Sequence, residues 1–377
     1  LPLNKFAVIT AISIAAALSG CSSTAPTGDA GASSTKETSI ASADASPSTP
    51  AKVTVGAFTQ EKITPEQRTI PPTYTKFFKK SDLGPVIPGL QQGLVPQGIA
   101  YFASRNWIVI SSYRDKAPSV LSVIDLKTNK LLKTVLLYEN DTTPYMGHAG
   151  GIAISAEHLW VGSDSLVRAV RLDDVVNAKD GGRVPFREKF GTETKASFLA
   201  YSDGILWAGD YSDKEYPTDA SHHMTSRDNK AYKAWAAGYK IDKDTDLIGQ
   251  SHPVNPAAQR AIPDYIFAVA DKIQGFAVHE GKVWLSQSGG RANDSYLLGY
   301  TDVRGEEPHL RLQLAGREVP LWYLDGKNMT DTWIMPPMSE GLDTVKDKIA
   351  VLFESGAKPY LSQGTFPVDQ IYLFSPK

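Results

Sequence analysis

Cysteine is almost missing from this chain. Cys21 stands alone among 377 residues. One thiol builds no disulfide framework, no thiolate metal cluster and no Cys-pair redox centre. Excess charge of one sign is missing too, because 39 Lys and Arg face 41 Asp and Glu, a formal net charge of −2. A phosphate backbone is bound by a basic face, so the near-zero charge argues against nucleic acid as a partner. The apolar run at residues 6–18 has thirteen positions, short of the roughly twenty that cross a bilayer as a helix. No Gly-x-Ser-x-Gly elbow, phosphate-binding P-loop or dinucleotide fingerprint occurs, which removes the commonest nucleophile and nucleotide signatures. What is abundant is 30 Gly and 24 Pro within an ordinary 42% hydrophobic, 10% aromatic composition. That balance suits a globular, turn-rich, all-β chain.

The N-terminus reads as an address. Lys5 precedes the apolar run, which ends in Leu18-Ser19-Gly20-Cys21. The length suits the apolar segment of a signal peptide. This stretch resembles the bacterial lipobox, in which small residues precede a lipidated cysteine. The resemblance implies a signal peptide over residues 1–20, cleavage before Cys21, and a palmitate-type anchor on that thiol. Each buried CH₂ would contribute about 0.8 kcal/mol to membrane attachment. Residues 21–52 then form a linker of Ser, Thr, Ala, Pro and Gly with no aromatic residue, too polar to offset its ordering entropy. The expected location is the bacterial cell envelope. The lipid would sit on the outer side of the cytoplasmic membrane or in the outer membrane.

A repeat organises residues 53–377. The segments Gln97-Gly98-Ile99-Ala100, Gly150-Gly151-Ile152-Ala153, Ser197-Phe198-Leu199-Ala200 and Gln274-Gly275-Phe276-Ala277 share a register. In each, the second residue is followed nine positions later by tryptophan: Trp107, Trp160, Trp207 and Trp284. A fifth copy, Glu340-Gly341-Leu342-Asp343, has Ala350 at the tryptophan position. Each copy reads as a Gly-apolar-Ala strand, a polar turn and a Trp-bearing strand. Small residues in the first strand suit a crowded axis, and the tryptophans suit the widening gap between units. A third strand ends in a repeated hairpin, at Ile124-Asp125-Leu126-Lys127-Thr128 and at Ile241-Asp242-Lys243-Asp244-Thr245.

These motifs resemble those of β-propellers: the Ile-Asp-x-x-Thr hairpins resemble the YVTN-type repeat, and the Gly-apolar-Ala…Trp strands resemble the gluconolactonase/regucalcin-like and NHL-like propellers. The resemblance implies an all-β fold, a single propeller with five blades and six as the alternative. The last copy is short of an outer strand, so the ring is expected to close with an N-terminal strand from residues 77–90. A long interval in the third copy holds a polar insertion, residues 214–235, containing His222 and His223.

In such propellers the loops before the inner strands and after the second strands share one face. The polar residues there are the candidate ligand-binding set. From the inner-strand mouths come Gln97, His148, Lys195, Gln274 and Glu340. From the second-strand ends come Tyr113, Arg114, Asp164, Asp210, Tyr211, Gln287, Arg291 and Glu354. Glu340 and His148 are the candidates for acid–base work. Tyr113, Tyr145 and Tyr211 suit stacking on sugar rings or burial in a protein interface. Gluconolactonase-like propellers hold a divalent metal with a carboxylate, an Asn and an Asp. Gln97, Gly150, Ser197 and Gln274 stand at the matching mouths here, so that shell is not reproduced and no metal ligand is assigned. Calcium is the cation that Glu340 would suit. Asp242, Asp244 and Asp246 begin like a calcium loop, but Leu247 and Pro253 occupy its Gly and Glu positions, leaving a plain turn. His222-His223 reads as solvated loop.

The expected role is a lipid-anchored, extracytoplasmic binding or scaffold module. Its axial face would hold a cell-envelope polymer, a small molecule or a protein. The alternatives are a metal-dependent hydrolase or lactonase acting on a sugar-like substrate, and an envelope assembly factor.

Overall fold

The Gly-apolar-Ala strand and the Trp strand pair antiparallel, and two further strands complete a four-stranded sheet; five such sheets surround one axis in the computed structural model. The structure describes residues 58–65 and 67–377. The expected signal peptide, lipidated Cys21 and linker lie outside the described residues. Blade 1 runs outward from the axis through Val95–Phe102, Trp107–Arg114, Ala117–Asp125 and Lys130–Tyr138. Blade 2 comprises Ile152–Ile154, His158–Ser163, Leu166–Arg171 and Glu188–Gly191. Blade 3 comprises Phe198–Ser202, Ile205–Gly209, Ala234–Lys240 and Tyr265–Val269. Blade 4 comprises Ile273–His279, Lys282–Gln287, Ser295–Thr301 and Met329–Met335.

Blade 5 closes the ring. Its inner three strands are Ser339–Val345, Lys348–Phe353 and Gln370–Phe374, and its outer strand is Ser81–Val86. Ser81 pairs with Phe374 and Val86 with Gln370. The expected N-terminal closure is therefore present, and the blade count is five. Closure covers the Gln370–Phe374 edge of the last blade with a strand from the start of the fold.

The inner strands lie side by side in chain order, and glycine explains how closely. A Cβ on Gly98 would stand 2.5 Å from Ile152 N, and one on Gly151 would stand 2.3 Å from Leu199 N. Gly275 and Gly341 face the inner strands of blades 5 and 1 in the same way. The glycines thus accommodate the neighbouring strand's backbone. In blade 3 the position is Phe198, whose ring stacks parallel to Phe276 of blade 4 at 6.3 Å and lies over Gly209.

The tryptophans do what their spacing suggests, with one exception. Trp160, Trp207 and Trp284 lie opposite Ala153, Ala200 and Ala277. All three are fully buried between their own blade and the next. Trp207 packs on Phe267 at 4.9 Å and on Phe276 at 5.3 Å. Trp107 corrects the register. A short 3₁₀ turn, Ala103–Arg105, lengthens the first hairpin, so Trp107 pairs with Phe102 while Val109 faces Ala100. Branched aliphatic residues fill the seam between blades 5 and 1, where Ala350 stands in place of tryptophan.

Two inserts staple neighbouring blades. Arg183–Pro185, from within blade 2, adds a parallel strand to the rim of blade 1. Arg317–Tyr323, from within blade 4, does the same for blade 3. The repeated hairpins are turns held by their aspartates. Asp125 accepts from Lys127 N and Thr128 Oγ1, and Asp242 accepts from Asp244 N and Thr245 N. Asp246 departs from the plain-turn expectation. It is buried and accepts from Ser155 Oγ, Glu157 N and His158 N of blade 2.

Candidate functional site

On the face where the inner strands begin, the ring opens into a cavity of about 1130 Å³. Two loop classes wall it, as the fold requires. Gln97, His148, Lys195, Gln274 and Glu340 reach it from the inner-strand mouths. Tyr113, Asp164, Tyr211, Arg291 and Glu354 reach it from the second-strand ends. Three other candidates do not line it. Arg114 turns back, donating from Nε to Pro118 O, with its guanidinium over the Phe58 ring. Gln287 donates to Asp271 O.

Asp210 is the larger departure. It is fully buried and accepts from Lys195 N and Trp235 N. Its Oδ2 lies 2.8 Å from His222 Nδ1. His222 is therefore no solvated loop residue; it is buried and stacks on Trp235 at 3.9 Å. This pair pins the 214–235 insertion to blade 3. Tyr145 is also misplaced by the sequence reading. It is buried in the core between blades 1 and 2, edge-on to Phe186. The aromatic residues that do line the cavity beside Tyr113 and Tyr211 are Tyr216 and Tyr360. Both lie deeper in second-strand loops than the one or two positions read from the strand ends. The long intervals after Gly209 and Phe353 were the available signal.

The cavity floor is a carboxyl pair. Glu340 comes from the blade 5 inner strand and is 2% exposed. Glu354 follows the next strand of the same blade. Both line the cavity, close enough for each to shift the ionisation of the other. Gln274 Nε2 donates to Glu340 Oε1 at 3.2 Å, and Gln97 Nε2 donates to Glu354 Oε2 at 2.9 Å. Burial and then the Glu354 charge push Glu340 well above the usual carboxylate range. Burial also pushes Glu354 up to about 7, against the pull of its Gln97 hydrogen bond and the Arg291 charge. Two carboxylates so placed do not both ionise readily, and the pair titrates as a unit that holds a proton near neutrality.

The walls complete the chemistry. The Tyr113 and Tyr360 hydroxyls lie 2.6 Å apart, and the Arg291 guanidinium covers the Tyr360 ring at 4.6 Å. Tyr113 also packs on the His148 ring at 4.1 Å. Burial lowers the His148 pKa, with Asp164 opposing, so its imidazole is neutral at pH 7. Across the cavity, Tyr211 donates to Asp213 at 3.0 Å and packs edge-on against Tyr216. Burial raises Asp213, but hydrogen bonds from Tyr216 N, Tyr211 Oη and Glu215 N prevail and hold it below the ordinary range. Asp213 is thus an anion at neutral pH.

The molecule is a five-bladed β-propeller with an acidic, tyrosine-walled axial cavity. No family model matches the chain, and no curated protein matches it. Solved structures resemble it at low identity. A GH43_1 enzyme from Xanthomonas citri is 9% identical over 80% of this chain and 92% of that one, with a TM-score of 0.40. BamB from Moraxella catarrhalis is 10% identical over 74% and 85%, with a TM-score of 0.30. Hydrazine synthase from Kuenenia stuttgartiensis is 10% identical over 75% of this chain, which spans 58% of that protein, with a TM-score of 0.34. Likeness at this level carries nothing about activity, and one fold hosts many functions.

Proposed function

We propose that this protein is a binding module of the cell envelope, anchored through Cys21, whose axial cavity holds a sugar-like, polyhydroxylated ligand. The observation that carries the reading is the cavity itself. It has the volume of a ligand site, polar groups converge on its floor, and tyrosine rings stand on opposite walls. Flat aromatic faces with hydrogen-bonding edges suit pyranose rings, which are apolar on their faces and polar at their rims. Lipid attachment would place that cavity beside envelope polymers.

The competing hydrolase reading has one observation in its favour: the carboxyl pair keeps a proton near neutrality, as a general acid must. A lactonase would need a divalent cation, and among the described residues no group of three or more His, Cys, Asp or Glu side chains is placed to hold one.

Thermal melts of the full chain test the proposal. Envelope-derived oligosaccharides at about a hundred times Kd should stabilise the protein by roughly 2.7 kcal/mol and raise Tm by several degrees. A melt that no oligosaccharide moves would sink the binding reading. Melts in EDTA and then in excess Ca²⁺ should coincide; a clear calcium shift would revive the metal-dependent hydrolase. In that case Glu340→Gln should abolish turnover with the fold intact.

A further inference from the structure

The floor of the cavity has spent much of its hydrogen-bond donor capacity. Gln97 Nε2 serves both Glu354 Oε2 and Pro96 O, and Gln274 Nε2 serves Glu340 Oε1. What Gln97 still offers is its carbonyl oxygen, and Gln274 its carbonyl oxygen and one N–H, next to four carboxyl oxygens. The Tyr211 hydroxyl is likewise spent on Asp213. The floor is therefore a concentrated set of acceptors, and a ligand that reaches it must bring donors.

The charge around it points the same way. Asp164, Asp213, Glu215, Glu340 and Glu354 line the cavity, against Lys195 and Arg291. Arg291 also donates to Gln363 and covers the Tyr360 ring, so its charge is shared between these contacts and Glu354. Tyr113, Tyr211, Tyr216 and Tyr360 add ring faces, which attract cations through their quadrupoles. Acceptors below, negative field around and π faces beside are together the surroundings an ammonium group prefers to water.

We propose that the cavity selects an amine: a sugar-sized ligand bearing a protonated primary amino group, with the ammonium seated between Glu340 and Glu354 and the ring between the tyrosines. This rests on the binding function proposed above and names its ligand class. Seating the ammonium makes the fully ionised carboxyl pair favourable, so the proton held between Glu340 and Glu354 leaves to solvent while the ammonium keeps its own three. The groups facing the pair are the Gln97 and Gln274 amides, the Tyr113, Tyr211 and Tyr360 hydroxyls and the Arg291 guanidinium. The hydroxyls stay protonated because burial raises each of them, so the carboxyl pair is the source of the released proton.

The test is calorimetric titration of the full chain with a glucosamine tetramer and with its N-acetylated counterpart, at pH 7 in buffers of different ionisation enthalpy. The amino form should bind at least about tenfold more tightly, a difference of roughly 1.4 kcal/mol. Its binding heat should depend on the buffer, reporting proton release. Glu354→Gln should remove that buffer dependence and most of the preference, while its melt shows the fold retained. Equal affinity for both tetramers without proton release would overturn the amine inference and leave sugar binding standing. Binding of neither would overturn both. An unchanged preference in Glu354→Gln would show that the ammonium sits elsewhere and would equally defeat the assignment.

Discussion

Glu354 is where the residue scale is most exposed to measurement. Its pKa is raised to about 7 by burial from an ordinary value near 4.3. A carboxyl raised on folding contributes stability that is fully present below its unfolded pKa and is lost as pH climbs through the folded value. Stability of the wild-type chain should therefore fall between about pH 4 and pH 7 from this source. Glu354→Gln keeps the acceptor for Gln97 and offers an N–H to Glu340, with no second charge. The variant should match wild type at pH 4 and melt a few degrees higher at pH 8, about 1–2 kcal/mol after allowance for solvent screening. Melting curves across that range check it; a variant less stable at pH 8 than at pH 4, relative to wild type, would contradict the pairing.

A second residue-scale expectation concerns Asp210. Its position at a second-strand end suggests the cavity, yet it is buried against His222 and the backbone of Lys195 and Trp235. Asp210→Ala should leave those donors without their acceptor at a cost of about 1–3 kcal/mol each. It should also loosen the insertion that carries Tyr216. Loss of ligand binding would then come with lower stability and faster proteolysis of the 214–235 segment, in contrast to the cavity variants.

At the scale of the element, the inner strand depends on glycine as a spacer. Gly151→Ala would drive a methyl group to 2.3 Å from the Leu199 backbone nitrogen, where no side chain can rotate away. The strands must part, and overpacking of this kind costs typically 1–3 kcal/mol or more. Trp207→Ala acts from the opposite direction. It would empty the space between Phe267 and Phe276 at a cost of about 3–5 kcal/mol. Denaturant midpoints for both variants are the measurement. A midpoint unmoved in Gly151→Ala would mean that the inner strands are not in contact at that point. The sequence repeat was legible at this scale because glycine and tryptophan recur wherever the same gap recurs. Trp107 kept the spacing but not the pairing, because the turn Ala103–Arg105 consumes residues that the other hairpins do not. Spacing counts residues along the chain, whereas register is decided by hydrogen bonds across it.

At the scale of the whole molecule, Ser81–Val86 supplies the outer strand of the last blade. A chain that begins at Val95 would expose the Gln370–Phe374 edge and, by losing Phe77, uncover the Phe374 and Phe353 rings on which it packs. It should aggregate or lose its cooperative melt, while a chain that begins at Val53 should melt as the full protein does. Equal melts would show that closure contributes little. The cavity also belongs to this scale, since each blade presents only a few polar side chains to the axis and the site exists once five blades are held around it.

The sequence by itself determined the β-propeller, its closure by an N-terminal strand and the loop classes that face the axis. Those properties are written in local periodicity, in turn residues and in repeated small and bulky positions. It also placed Glu340 and Glu354 among the candidates. Only the tertiary structure decided that these two carboxyl groups share one buried cavity and shift each other's ionisation, that Asp210 turns inward to His222, and that Tyr216 and Tyr360 take the place expected of Tyr145. The direction of a side chain at a strand end depends on which loop folds over it. That partner is set by contacts distant in sequence, which no local pattern records.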